Sequence, residues 1–184
     1  TMAQPLDPAL VTKLQQKLDS IQVADNIQGI SAAIIYPGHG LWLGVSGKSH
    51  SDVLLSPDMR FHIASNTKTF TAVMLLKLVQ NNLVSLGDSI HEWLPNYNPN
   101  INPNSTLRQL LNHTSGIANT FDVPGFTDSL SADWHRVFTQ PEILSWLPEP
   151  LFDPGKGQRY SNPNYHLAGL VVESVSGQHL EQLI

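Results

Sequence analysis

Leu10, Leu14, Leu18 and Ile21 recur at helical spacing, which makes one face of residues 8–23 apolar. Pro8 suits a first helical turn and Asp7 an N-cap, so a helix is predicted from Pro8 through Val23. The period then changes. Gly29-Ile30-Ser31-Ala32-Ala33-Ile34-Ile35-Tyr36 reads as a buried strand. The turn Pro37-Gly38-His39-Gly40 and the run Leu41-Trp42-Leu43-Gly44-Val45 predict its antiparallel mate. Met59 to Ile63 is a short extended run leading straight into Ser65. From Thr67 to Val79 the chain is apolar almost all round, with Phe70, Ala72, Val73, Met74, Leu75, Leu76 and Leu78. That pattern predicts a central helix buried on several sides, ended by a left-handed Asn82.

Shorter elements follow. Asp88 to Leu94 reads as a helix stopped by Pro95, and the Asn/Pro cluster from Asn96 to Asn104 as a loop. Ser105 or Thr106 caps a helix over Leu107 to Leu111, closed by His113-Thr114-Ser115-Gly116. Residues 117–140 read as irregular, and Phe121, Trp134 and Phe138 there as core side chains in a loop that could also line a cleft. Pro141 to Trp146 is a short helix, Pro154-Gly155-Lys156-Gly157 a turn that delivers Tyr160, and Tyr165 to Val175 an apolar helix ending at Gly177.

Length and composition fit one substantial core or a small two-lobed domain: 184 residues, 41% hydrophobic and 14% charged. The net charge of -5 carries no basic run, which argues against a nucleic-acid partner. No apolar stretch is long enough to span a membrane, and no basic region followed by an apolar stretch marks a signal peptide in these residues. The absence of cysteine excludes a disulfide framework and a thiolate metal site, and leaves the compartment open. The eight histidines form no ligand spacing, so neither metal nor cofactor is expected.

Ser65-Asn66-Thr67-Lys68 opens the apolar helix, and Tyr160-Ser161-Asn162 follows about ninety residues later. With 17 Ser and 6 Lys in the chain, a Ser-x-x-Lys spacing is weak by itself. Context gives it content. Residues three apart share a helical face with Cβ atoms roughly 5–6 Å apart, so Lys68 can reach the Ser65 hydroxyl. At a helix start Ser65 also meets unpaired backbone N–H groups, and its own N–H is a candidate oxyanion donor. A serine is a poor nucleophile until a base takes its proton, and a tyrosine beside an ammonium can supply a phenolate, the two titrating as a coupled pair. Asn162 offers an amide that can accept from Lys68 or hold a substrate amide. The competing reading makes Ser65 an N-cap, Lys68 a solvated residue and Tyr160 a core side chain. A lysine leading an apolar helix weighs against it, because burial demands a partner. His113 invites a Ser-His-Asp reading, but a structural role with hydrogen bonds to backbone is expected.

The run Phe61-His62-Ile63-Ala64-Ser65-Asn66-Thr67-Lys68-Thr69-Phe70-Thr71-Ala72 resembles the nucleophile segment of the penicillin-recognising serine hydrolases: class C β-lactamases, D-alanyl-D-alanine carboxypeptidases and related esterases. Leu107 to Gly116 resembles their R-x-L-L-x-H-T-S-G segment. Phe152-Asp153-Pro154-Gly155 with Tyr160-Ser161-Asn162-Pro163-Asn164-Tyr165 resembles their F-x-P-G and Y-S-N-x-x-Y segments. The resemblance implies an α+β, β-lactamase-like fold: an antiparallel sheet with flanking helices over residues 1–64, and a nucleophile helix with an all-helical lobe over 65–184. It implies that Ser65 is acylated, that Lys68 and Tyr160 share the general-base and general-acid work, and that Asn162 meets the substrate.

The family's third motif, Lys-Thr-Gly or His-x-Gly, lies on a strand far downstream of the tyrosine and is expected beyond Ile184, with the second oxyanion N–H. Residues 1–184 are therefore expected to be the N-terminal part of a longer enzyme, lacking the C-terminal strands, nearly inactive alone, and poorly stable or paired with another chain through an open sheet edge. Expected substrates are a D-alanyl peptide, a β-lactam or a small ester or amide; periplasmic or secreted placement is implied by resemblance. The alternative is a non-catalytic penicillin-binding or interaction module with a relict site.

Overall fold

A computed structural model describes residues 6–95, 97–133 and 135–184. Asn96, at the start of the expected loop, and Trp134 lie outside the described residues. The chain divides into two compact units, one ending at His62 and the other beginning at Ile63.

The first unit is a helix on a small sheet. Helix α1 (Pro8–Ala24) starts where Asp7 accepts the Ala9 N–H at 2.9 Å, with Pro8 in the first turn. Strands β1 (Gly29–Tyr36), β2 (Gly40–His50) and β3 (Val53–Leu54) form one antiparallel sheet in the order β1-β2-β3. The register places Tyr36 opposite Gly40 and Gly29 opposite Gly47. Trp42 and Gly44 turn inward on β2, and Leu18 of α1 is buried with them. β1 forms where its sequence predicts, but it is not buried: Ile35 is 79% exposed, and Ile34 and Tyr36 are exposed as well. Within the described residues β1 stands at the edge of a three-stranded sheet, and helix α1 packs mainly on β2. Met59 to Ile63 forms no strand.

The second unit is all-helical. Helix α2 (Thr67–Gln80) runs to Asn82, which takes the expected left-handed turn at φ 57°. Only Thr71 and Leu75 of α2 are buried; Phe70, Val73 and Leu76 are each close to half exposed. Within its own unit this helix, predicted to be buried on several sides, packs chiefly against α7 (Asn162–Ser176).

Around α7 stand α3 (Ile90–Trp93), α4 (Leu107–Leu111), α6 (Gln140–Ser145) and α8 (Leu180–Leu183), while α5 (Phe126–Ala132) packs on the turn Thr120–Asp122. Thr106 caps α4 and Thr139 caps α6, each in a reciprocal capping box. Leu75, Ile90, Leu107, Leu110, Leu144, Leu167 and Val171 form one continuous core centred on α7. The stretch expected to be irregular holds α5, which follows Gly125 at φ 82°. Its polar sequence hides a turn-and-helix whose single anchor is Phe126, buried with its ring edge-on to Trp146. Helix α7 begins three residues before its predicted start, since Pro163 sits in its first turn rather than ending a loop.

Leu167→Ala, at the fully buried centre of α7, should destabilise the chain by about 2–5 kcal/mol. Leu54→Ala, on the exposed strand β3, should cost less than about 0.5 kcal/mol. Urea unfolding followed by far-UV circular dichroism measures both, and similar losses would contradict a core centred on α7.

Candidate active site

Ser65 is presented by a strained turn. Ala64 before it has φ 45°, a left-handed conformation that costs a non-glycine residue about 1–3 kcal/mol and persists where surrounding contacts enforce it. Ala64–Asn66 form one turn of 3₁₀-helix that runs straight into α2. The Asn66 N–H and its side-chain Nδ2 both donate to the Ile63 carbonyl at 3.0 Å, bracing the turn. Ser65 therefore lies just ahead of the helix rather than on its first residue. Lys68 is the second residue of α2, half-buried on the same face.

Tyr160 arrives by a hydrogen-bonded seam between distant segments. Leu151 N–H donates to Gly116 O at 2.9 Å, Gly155 N–H to Thr114 O at 2.8 Å, and Arg159 N–H to His113 O at 3.0 Å. Gly116 makes this approach possible: its φ is 81°, and an added Cβ would lie 1.9 Å from the Phe152 carbonyl oxygen.

Beyond Tyr160 the N-terminus of α7 is tied to the same segment. His113 Nδ1 accepts the Ser161 N–H at 3.3 Å, and Ser161 Oγ donates to Ala118 O at 3.1 Å. Asn119 Oδ1 accepts from both the backbone N–H and the Nδ2 of Asn162, each at 3.2 Å.

The four residues singled out by sequence stand together. Ser65 Oγ and Tyr160 OH are 2.7 Å apart. Lys68 Nζ donates to Ser65 Oγ at 3.2 Å and to Asn162 Oδ1 at 2.7 Å. Tyr160 OH donates to that same Asn162 oxygen at 3.3 Å, and Lys68 Nζ lies 5.1 Å over the Tyr160 ring. Of the two uses open to Asn162, its carbonyl serves the lysine. Burial alone would push the Tyr160 phenol up. The Lys68 ammonium and the Ser65 hydroxyl outweigh it, and the phenol is held below its ordinary value of 10.0.

Other groups at the site were not singled out as site residues from sequence. The His113 ring packs on Tyr160 with centroids 4.6 Å apart and on Tyr165 at 5.4 Å. No hydrogen bond joins it to Ser65 among the described residues, so a serine–histidine pair is not what the geometry offers. Burial, then the Lys68 charge, lower the His113 pKa below 6.5, and the same two causes in the same order lower that of His166. The Tyr165 hydroxyl donates to Leu111 O at 3.0 Å, and burial followed by Tyr160 raises its pKa. Phe121, expected in the core, is half exposed and lines the cleft. Asn119 carried no legible signal, because a lone asparagine after a glycine turn reads as loop. Helical spacing from Asn162 through Tyr165 and His166 to Gly169 is what could have placed the α7 residues on the cleft side.

The cleft has a volume of about 750 Å³ and is lined by Ser65, Lys68, Phe121, Tyr160, Tyr165 and His166, with Glu173 and Leu180 farther along α7 and α8. Among the described residues no group of three or more His, Asp or Glu side chains stands close enough to hold a metal ion, and no helix is long and apolar enough to cross a membrane.

The family model described as Beta-lactamase matches residues 10–184. The D-stereospecific amidohydrolase from Streptomyces sp. superposes with a TM-score of 0.81 at 33% identity, covering 96% of this chain and 52% of that one. The D-amino acid amidase from Ochrobactrum anthropi SV3, in its complex with L-phenylalanine, superposes with a TM-score of 0.77 at 30% identity, covering 95% and 51%. Protein flp of Staphylococcus aureus (strain NCTC 8325 / PS 47) is 33% identical over 187 residues, 95% of this chain and 36% of that protein. The chain thus spans about half the length of these solved relatives and about a third of the curated one. The fold is that of the β-lactamase and penicillin-binding-protein class.

Both neutral imidazoles tie stability to pH. In the unfolded chain they titrate near 6.5, whereas the folded state resists their protonation. Below about pH 6.5 the unfolded state binds more protons, so stability is lost as pH falls, until the lowered folded-state values are passed. The urea midpoint should drop on crossing about pH 6.5 downward, and His166→Gln should flatten that drop. A His166→Gln profile identical to that of the parent chain would remove this imidazole from the linkage.

Proposed function

Because this chain belongs to the beta-lactamase family of serine hydrolases, we propose that Ser65 is a nucleophile that forms an acyl-enzyme, with Lys68 and Tyr160 as one proton-transfer unit. The observation that carries this reading is the contact of Ser65 Oγ with both Tyr160 OH, at 2.7 Å, and Lys68 Nζ, at 3.2 Å. The Lys68 ammonium favours the phenolate of Tyr160, which takes the Ser65 proton as Oγ attacks the substrate carbonyl. The tetrahedral intermediate collapses with cleavage of the C–N or C–O bond, and Tyr160 gives the proton to the leaving nitrogen or oxygen. A water attacks the Ser65 ester by the same route, with its proton passing through Tyr160 back to Ser65 Oγ. The Ser65 N–H, next to the positive end of α2, stabilises the developing oxyanion, a role typically worth about 3–4 kcal/mol.

For substrate, the reading is an amide, peptide or ester of a D-amino acid, placed outside the cytoplasm. Two similar solved proteins support the D-configuration, one named a D-stereospecific amidohydrolase and the other a D-amino acid amidase. The half-exposed Phe121 offers an apolar wall for a side chain, and the cleft has room for it.

Incubating the complete enzyme, rather than residues 1–184 alone, with a fluorescent penicillin and, separately, with D-phenylalanine amide tests the reading. A covalent adduct mapped to Ser65 and lost in Ser65→Ala is expected, together with turnover of the amide. An adduct on another residue would overturn the assignment, and labelling without turnover would leave a penicillin-binding module instead.

Lys68→Ala and Tyr160→Phe should each abolish most of the turnover, and the double variant should lose little more than the worse single one. Additive losses in the measured rates would mean that the two groups act independently. The rate should also rise with pH along a limb centred below 10, and Lys68→Gln should move that limb upward, because the phenolate loses its ammonium. A limb that stays in place would separate lysine from the titration.

A further inference from the structure

The N-terminus of α7 is capped from outside its own sequence. Its N-cap residue, Ser161, makes no side-chain cap and gives its hydroxyl to the Ala118 carbonyl. Asn119, which flanks the 3₁₀ turn Thr120–Asp122, makes no side-chain cap in that turn either. Its oxygen reaches across 43 residues of chain to Asn162.

We propose that Asn119 is a positioning residue whose side-chain oxygen fixes the orientation of the Asn162 amide and, through it, aims Lys68 and Tyr160 at Ser65. This rests on the acyl-transfer reading of those three residues.

The argument turns on one donor that cannot be reversed. The backbone N–H of Asn162 can only donate, so the Asn119 atom 3.2 Å away must be the amide oxygen; its NH₂ there would set donor against donor. The same oxygen lies 3.2 Å from the Asn162 side-chain amide, so that amide must present its nitrogen to Asn119. Its oxygen is then left facing Lys68 Nζ at 2.7 Å and Tyr160 OH at 3.3 Å. Turned over, Asn162 would present NH₂ to an ammonium and lose the shorter of the two Lys68 contacts. Asn119 is itself buried and makes no hydrogen bond to Ser65, Lys68 or Tyr160, so it acts through Asn162. Each amide in this chain is set by the one before it, and the first is set by the backbone.

The test is the single-turnover rate at which a fluorescent penicillin labels Ser65 in the complete enzyme. Asn119→Ala should slow labelling about ten- to a hundredfold, the scale of a catalytic group displaced by ~1 Å, with little change in the half-saturating probe concentration. Asn119→Asp keeps an oxygen that accepts both N–H groups and should restore most of the rate. In an Asn162→Ala background, Asn119→Ala should cost nothing further. Unchanged labelling in Asn119→Ala, additive losses, or no rescue by aspartate would each overturn the proposal. If Asn119→Ala does not fold, Asn119→Ser, whose hydroxyl is too short to reach both groups, takes its place.

An NMR titration of the Tyr160 ring separates this proposal from the functional reading. The same displacement of that titration in Asn119→Ala, Asn162→Ala and the double variant supports the proposal even where wild-type Ser65 takes no label. No displacement, or summed displacements, overturns it while leaving the labelling result to decide the function.

Discussion

Everything at the site depends on the seam of hydrogen bonds that ties residues 113–119 to residues 151–164. Ser65 and Lys68 belong to one short stretch, so local geometry suffices to bring them together. Tyr160 and Asn162 are more than ninety residues away, and nothing local holds them. Three backbone hydrogen bonds deliver the tyrosine, and two side chains, His113 and Asn119, satisfy the N–H groups of Ser161 and Asn162 where α7 begins. A helix start carries unpaired donors that must find acceptors. Here those acceptors come from the loop that also positions the cleft, so capping the helix and building the site are one event.

The charge pattern follows from that construction. Lys68 places an ammonium between two tyrosine rings and beside two imidazoles. Its charge lowers the Tyr160 phenol and adds to the burial that keeps His113 and His166 neutral. A neutral His113 is also what the seam requires, because its Nδ1 must accept the Ser161 N–H. A positive charge on that ring would repel Lys68 and set two donors face to face. The electrostatics around Ser65 and the hydrogen bonding of the scaffold therefore demand the same protonation state.

Apolar pattern proved a better guide to element type than to burial. α1, β1, β2 and α2 form within a few residues of where periodicity places them, because side-chain spacing and turn residues are local. Burial is not local. β1 read as a buried strand and α2 as apolar almost all round, yet within the described residues β1 is exposed at a sheet edge and α2 buries only Thr71 and Leu75. Conversely α5 hides in a polar stretch, because one buried ring, Phe126, is enough to fix it.

The sequence alone brought Ser65 and Lys68 together, since they share a turn by spacing, and the motifs around Tyr160 marked it as the third member of the set. It also determined the chemistry open to them, since a hydroxyl, an ammonium and a phenol carry their reactivity with them. Only the tertiary structure decided which atoms meet. Asn162 could serve a substrate or the lysine, and the fold turns its oxygen to Lys68 through Asn119. His113 could be a base or a support, and the fold spends its ring nitrogen on the α7 N-terminus. The reason is directional: hydrogen bonds between segments far apart in sequence depend on where each backbone donor points, and that is settled only when α7 packs against α2 and α4.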